Sequence, residues 1–284
     1  MSTAFAEVEA MLSERGWAAV DLPEASAVLR ARDWLLARLR ETFPGLQALG
    51  DYHTAVADDA RHFAAFSDIA DRFCQAALGR AIIVANLDLF RRLLGPDLHV
   101  QQYPYLRIVR PGQSGDAVPL HRDTYYGASP YELSVVVPFT DMGPDCALRA
   151  VAGSHVEPDS AYPYVQLEST EVAIGSPRHK LGYAYAPRLL DPALEARAEP
   201  MPAKVGQALI FGLSLVHGGG ANHGDRTRVS TDIRVVSSLA PVQLDRGVHK
   251  DYFVPLCSSP ISRSADRYRA RNGQAGAHPA ETDK

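Results

Sequence analysis

Near residue 98 the hydrophobic pattern changes period, and no other feature limits the folds open to this chain so sharply. Upstream, apolar residues recur at helical spacing. Phe5, Val8, Met11 and Leu12 share one face, as do Val28, Ala31, Leu35 and Leu39, with Pro23 near a helix start; Phe63, Phe66, Phe73 and Ala77 continue the pattern. These positions read as core, packing helices against a sheet. From about 98 to 255 the spacing becomes two, in short β-branched runs punctuated by glycine and proline, such as 132–139 and 228–236. Strands in that order predict a sandwich or a jelly roll, and the pattern alone leaves the two open. With 284 residues at 46% hydrophobic content the chain can bury a full core, so a single domain over 1–257 is expected, helical to about 95 and mainly β over 98–255. A Pro- and Tyr-rich insert at about 156–203 is longer than an ordinary connection and is a candidate lid. The tail, 258–284, is polar and poor in large aliphatics, which predicts disorder and no chemistry.

Charge and cysteine usage narrow the function classes. A formal charge of -4 and a pI near 6.2 leave no electrostatic footprint for nucleic acid, and no run of Lys or Arg marks an anionic membrane surface. The 29 basic residues divide into 25 Arg and 4 Lys, a bias that codon usage in a GC-rich genome explains more simply than anion binding. Cys74, Cys146 and Cys257 are odd in number and far apart, so they form neither a disulfide framework nor a zinc spacing, which suits a reducing cytoplasm. The N-terminus is acidic where a secretory signal would be basic, and no apolar run approaches the length of a membrane span. A soluble, cytoplasmic protein is expected, with no internal repeat, P-loop or dinucleotide fingerprint.

Against that background one set of residues carries chemistry. His121-Arg-Asp123 puts an imidazole and a carboxylate on the same side of a strand, and His217 on another strand can close a three-ligand face on one metal. A 2-His-1-carboxylate set leaves about half of an octahedral iron(II) open for a chelating cosubstrate and dioxygen. Beyond His217, alternation along 228–235 places Arg228, Ser230, Asp232 and Arg234 on one face and Val229, Thr231, Ile233 and Val235 on the other. A guanidinium fork matches a carboxylate bidentately and Ser230 can add a hydroxyl donor, so this pair can hold the distal carboxylate of a dicarboxylate. Asp232 and Arg234 read equally as a partly buried ion pair or as substrate contacts. Arg107 can position the cosubstrate or pair with an acidic neighbour. Tyr125 shares strand parity with Asp123, and either Tyr125 or Tyr126 can line a substrate mouth. Cys146 reads as packing, and Gly218–Gly220 as a place where the chain turns. His53, His62, His99, His179, His223 and His249 lack a partner at ligand spacing.

With their flanks these motifs resemble a known family. Pro104-Tyr-Leu-Arg-Ile108, His121-Arg-Asp-Thr-Tyr-Tyr-Gly127, Leu148-Arg-Ala-Val-Ala-Gly-Ser-His155, the run from Ala208 to Gly220, and Arg228-Val-Ser230 carry the likeness. Over about 98–240, roughly half the chain, they resemble the phytanoyl-CoA-dioxygenase-like branch of Fe(II)/2-oxoglutarate oxygenases. Within it they look most like oxygenases of carbohydrate and aminoglycoside antibiotic clusters, of the streptomycin-pathway and hygromycin orthoester-forming types. The resemblance implies a double-stranded β-helix (a jelly-roll, cupin-like core) braced by N-terminal helices. It implies Fe(II) on His121, Asp123 and His217, 2-oxoglutarate anchored by Arg228 and Ser230 with Arg107 nearby, and O2 as second cosubstrate. It also implies a structural role for His155. The implied reaction is oxidation of an unactivated C–H bond of a carbohydrate or aminoglycoside-type small molecule, by hydroxylation or oxidative ring closure.

For a basic substrate, Asp116, Glu132, Asp141, Asp145 and Glu171 lie in or near mouth-forming loops. An acyl-CoA thioester would instead call for a basic patch, which no lysine cluster supplies. An acyl-CoA or other small-molecule hydroxylase stays open beside a non-catalytic cupin-like sugar binder. A zinc hydrolase would leave Arg228 and Ser230 without a use.

Overall fold

In the computed structural model, which describes residues 3–56, 58–165, 188–242, 249 and 251–272, the period-two region forms antiparallel sheets. In chain order the strands are β1 (Trp17–Asp21), β2 (Leu98–Gln101), β3 (Tyr105–Val109), β4 (Val118–His121), β5 (Glu132–Pro138), β6 (Leu148–Ala150) and β7 (Tyr164–Val165). There follow β8 (Arg188–Leu189), β9 (Glu199–Met201), β10 (Gln207–Gly212), β11 (His217–Gly219), β12 (Arg228–Ser237) and β13 (Phe253–Cys257). The larger sheet has the order β1-β10-β5-β12-β2-β13, with β3 also paired to β12; the smaller runs β4-β11-β6-β9, and β7 pairs with β8. From β3 to β6, and again from β9 to β12, successive strands alternate between the two main sheets, which is the double-stranded β-helix expected from the resemblance.

Helices α1 (Thr3–Arg15), α2 (Ser26–Thr42), α3 (Tyr52–Ala55), α4 (Asp59–Gln75), α5 (Leu78–Ala85) and α6 (Leu87–Leu94) precede the barrel; α7 (Leu194–Arg197) and α8 (Pro260–Arg271) come later. Strand alternation decides what each sheet face meets. Val135 and Val137 of β5, Ile210 of β10, and Ile233 and Val235 of β12 join Val28, Leu35, Phe66, Phe73, Ile83 and Phe90 of the helices in one core. The alternate residues Val136, Leu209 and Phe211 face the smaller sheet and pack with Trp17, Ala150, Met201 and Leu215. Both faces of β5 are therefore covered, which is why its sequence reads as an unbroken apolar run.

Three expectations need correcting. Residues 17–21 are not helical: after Gly16, at φ 85°, the chain enters β1 and pairs with β10 from Trp17 opposite Phe211 to Asp21 opposite Gln207. Five residues are too few for a period to show. Ala77 does not extend a buried face, since it is the exposed left-handed link (φ 51°) between α4 and α5. Within the polar tail, Pro260–Arg271 forms α8, whose start is capped by Ser259 accepting the Ser262 N–H, with Pro260 in the first turn; 273–284 lie outside the described residues. Asp97 receives the hydroxyls of Ser259 and Ser262 at 3.0 and 2.8 Å. A Ser-Pro start is a helix signal that composition does not register. The candidate-lid reading falls mainly on 166–187, outside the described residues. No helix among those described is long and apolar enough to cross a membrane.

Candidate metal centre and its cavity

β4 and β11 lie antiparallel with His121 opposite His217, so two imidazoles distant in sequence stand with ring centroids 4.6 Å apart. Gly218 permits that pairing. A Cβ there would come 2.8 Å from the Val118 carbonyl oxygen and 3.0 Å from the Leu120 nitrogen, so any side chain would push β11 off β4. Gly218 and Gly219 are thus strand residues required for close approach, not the turn expected from their composition.

Asp123 does not continue β4. Arg122 is extended (φ -111°, ψ 134°) and a 3-10 turn begins at Asp123. One extended residue is enough to return the carboxylate to the side of His121 while Arg122 points away. Parity fails beyond that point. The Tyr125 hydroxyl donates to the Tyr162 carbonyl at 3.1 Å and its ring stacks on Tyr164 at 3.9 Å, so Tyr125 supports β7 rather than lining a mouth. The Tyr126 side chain lies outside the described residues.

His121 Nε2 is 3.1 Å from Asp123 Oδ1 and His217 Nε2 is 3.9 Å from Oδ2. The three donors lie within 4.8 Å of one another. Bonds of about 2.1 Å at right angles would set neighbouring donors about 3.0 Å apart, so the His121–Asp123 spacing suits one metal ion. Each ring's other nitrogen faces a carbonyl: His121 Nδ1 donates to Pro119 O at 2.7 Å and His217 Nδ1 to Leu215 O at 3.0 Å. A carbonyl can only accept, so the proton sits on Nδ1 and the Nε2 lone pair is left for a cation. Burial pushes His217 down to about 4, with His121 adding to the effect and Asp123 opposing it. Burial alone would raise Asp123, yet the Arg234 cation and the two histidines hold its carboxyl far below the usual range. Two imidazoles and one carboxylate, all buried, fit a divalent iron.

The polar face of β12 does point into the cavity, where Arg228, Ser230, Asp232 and Arg234 form part of one wall. Arg228 is buried and its Nη1 donates to the Cys146 carbonyl at 2.7 Å. Gly219 lies against this guanidinium, and a Cβ there would come within 3.2 Å of Nη2. The buried Ser230 hydroxyl has no hydrogen-bond partner among the described residues, a donor left for an acceptor that these residues do not supply. Arg107 stands opposite Ser230 in the β3–β12 register, half-buried, with its guanidinium 5.0 Å from the centre of the Tyr105 ring. Arg234 does more than form the expected ion pair. Its Nη2 lies 2.9 Å from Asp232 Oδ2 and 2.8 Å from Asp123 Oδ2, the latter a charge contact without hydrogen-bond alignment. Asp232 in turn accepts the Ser134 hydroxyl at 2.7 Å.

These groups share a cavity of about 650 Å³ whose wall also includes Tyr103, Tyr105, Glu132, His249 and Tyr252. His249 and Tyr252 had no sequence signal, because neither belongs to a spaced motif. His249 Nε2 is 2.7 Å from Glu132 Oε1, which also accepts the Ser129 N–H at 2.7 Å. Burial, with Tyr105 alongside, raises the Tyr252 phenol well above its ordinary value. Glu132 was suggested as an acid of the mouth-forming loops; it lies instead at the start of β5 and lines the cavity. Of the other acids suggested for the mouth, Asp116 lines the cavity but is gripped by Arg110 at 2.8 and 2.9 Å. Asp141 and Asp145 are exposed away from it, and Glu171, like His179, lies outside the described residues. His155 is remote from the triad, its Nε2 against the Ser13 carbonyl at 3.2 Å.

Fold and donor set together define a non-haem iron oxygenase that depends on 2-oxoglutarate. The chain belongs to the phytanoyl-CoA dioxygenase (PhyH) family, whose model matches residues 6–230. No curated protein matches its sequence. Among solved structures it is similar to the apo form of the non-heme monooxygenase ThoJ, at 24% identity and TM-score 0.50, over 81% of this chain and 77% of that one. It is also similar to the epimerase SnoN in complex with Fe3+, alpha ketoglutarate and nogalamycin RO, at 17% identity and TM-score 0.50, over 90% of this chain and 100% of that one. A third is the non-heme alpha ketoglutarate dependent carbocyclase SnoK from nogalamycin biosynthesis, at 16% identity and TM-score 0.50, over 84% and 85% of the two chains. At such identities the likeness is one of fold.

Proposed function

We propose that this oxygenase acts in secondary metabolism on a polyhydroxylated small molecule, a carbohydrate or aminoglycoside, and oxidises an unactivated C–H bond by hydroxylation or oxidative ring closure. One observation carries the reading: a single cavity of about 650 Å³ gathers the His121, Asp123 and His217 donors, the Arg228 and Ser230 pair, and a polar, aromatic wall of Tyr103, Tyr105, Glu132, His249 and Tyr252. His121, Asp123 and His217 would hold the iron. When bound, iron and 2-oxoglutarate supply an oxidant for unactivated carbon at the expense of O2, with succinate and carbon dioxide as coproducts.

The remaining work falls to this chain's own residues. Arg228 and Ser230 offer a cation and a hydroxyl to the distal carboxylate of 2-oxoglutarate, with Arg107 beside them. Phe211, whose ring centre is 4.5 Å from that of His217, and Val136 keep water from the metal side. Tyrosine faces suit the C–H faces of a sugar, while Glu132 and Asp232 offer carboxylates to hydroxyl or amine donors. Among the described residues lining the cavity none is lysine, which disfavours an acyl-CoA. The sequence likeness to antibiotic-cluster oxygenases supports the same substrate class, and two solved structures of similar fold are proteins of nogalamycin chemistry, in keeping with secondary metabolism.

The test has two stages. Anaerobic Fe(II) and 2-oxoglutarate should produce a weak visible charge-transfer band, which neither a zinc hydrolase nor a metal-free sugar binder would give. Aminoglycosides, their biosynthetic intermediates and acyl-CoA thioesters are then screened for coupled succinate release, with substrate mass followed for the gain of one oxygen or loss of two hydrogens. Coupled oxidation of an acyl-CoA, with no response to any sugar, would replace the substrate assignment and leave the metal site standing.

A further inference from the structure

The residue between the two ligands of the His-x-Asp pair is the largest fully buried side chain among the described residues. Arg122 is 1% exposed and faces away from the triad. Its Nη1 donates to Asp159 Oδ1 at 2.7 Å, its Nη2 to the Glu157 carbonyl at 2.9 Å and also to the Ser154 carbonyl. The guanidinium lies over the Tyr162 ring, 4.5 Å from its centre. Ser154 is itself wholly buried, and its hydroxyl accepts the N–H of Val216 at 2.8 Å. The Val216 carbonyl is taken by the Val151 N–H at 2.9 Å. Both backbone groups of the residue before His217 are thus held by the segment that Arg122 grips.

We propose that Arg122 and Ser154 are positioning residues for the metal centre. Through Ser154 they tie the short 121–123 segment to the strand that carries His217, so the spacing of the three donors is set before any metal arrives. The β4–β11 pairing alone leaves Asp123 outside the sheet, on the turn that follows. A guanidinium fixed by several acceptors restrains the backbone between His121 and Asp123 from the side opposite the metal, where a metal ligand cannot act. A centre whose donors must sit within about 0.5 Å of productive geometry depends on such support. The exposed end of the Asp159 pair contributes little to it, because that carboxylate is 69% exposed and screened.

The test measures Co(II) binding to the metal-free protein by calorimetry and by its visible d–d bands, which report ligand geometry without turnover. Arg122→Lys keeps the charge but cannot serve the same acceptors; Ser154→Ala removes only the acceptor of the Val216 N–H. Each should weaken Co(II) binding roughly tenfold to a hundredfold and alter the d–d bands. Asp159→Ala should stay within about threefold of the wild type. Melting temperature in excess chelator reports the fold separately. Were Arg122→Lys not to fold, Ser154→Ala carries the test by itself. Variants that melt lower in chelator yet keep wild-type Co(II) affinity and spectrum would reduce both residues to fold stability and overturn the proposal. The inference rests on the metal reading of the triad, and a wild-type protein that binds no Co(II) would remove that reading first.

Discussion

His217 joins three demands in one side chain: a neutral ring, a lone pair turned to Asp123, and a backbone pinned to β4. His217→Ala should therefore abolish metal capture and succinate release while far-UV circular dichroism stays unchanged, because one donor of three is lost and little apolar contact goes with it. Unchanged turnover at saturating iron would place the distal ligand elsewhere. Arg228→Ala tests the cosubstrate anchor. Losing a charge-assisted pair costs about 2–5 kcal/mol, roughly 30-fold to several thousand-fold in 2-oxoglutarate affinity, with metal binding much less affected. A shift of under about threefold would move the anchor to Arg107 or Arg234. A different kind of residue is His62, wholly buried against the Tyr52 hydroxyl at 3.1 Å, with Asp116 3.9 Å away and Arg110 and Asp59 also acting on it. Burial chiefly, and then Arg110, depress its pKa to about 4. The unfolded chain, with His near 6.5, binds the extra proton first as pH falls. Stability should thus be full above about pH 6.5 and decline as pH falls through about 4, by at most roughly 3 kcal/mol from this group. Urea titrations across that range check the slope, and His62→Phe should flatten it.

At the scale of elements, β12 explains why half the site was legible. Its ten residues alternate between the helix-facing core and the cavity without a bulge, so a reading by twos placed Arg228, Ser230, Asp232 and Arg234 together. Its apolar face should be as consequential as its polar one. Ile233→Ala would open a cavity in the shared core at a cost of about 2–5 kcal/mol, read by urea denaturation. β11 makes the opposite demand, for a missing side chain. Gly218→Ala should lower stability by about 1–3 kcal/mol and weaken metal binding, since the added methyl meets backbone rather than a movable side chain. Where local signals were short they misled. β1 has only five residues to show a period, and α8 announces itself by a Ser-Pro cap that a polar composition hides.

For the molecule as a whole, the helices and the larger sheet form one core, in which Leu35, Phe66, Phe73, Ile83 and Phe90 pack with Val135, Ile210, Ile233 and Val235. A fragment comprising 98–257 should accordingly fail to fold, showing neither dispersed amide signals nor a cooperative melt, because its outer face would expose that whole set to water. Removing 258–284 should matter far less, since α8 buries no residue. The primary structure by itself determined the period of each long segment, the parity of β12, the three donors and the cation that follows them. Those properties are local, or belong to motifs whose chemistry depends on residue type and spacing. Only the tertiary structure decided which groups stand opposite one another: Arg234 on the outer oxygen of Asp123, Arg122 on the turn that holds Val216, His249 on Glu132. Each of those pairings depends on strand register and loop path, and a step of one residue or a turn of the chain redirects a side chain to another neighbour.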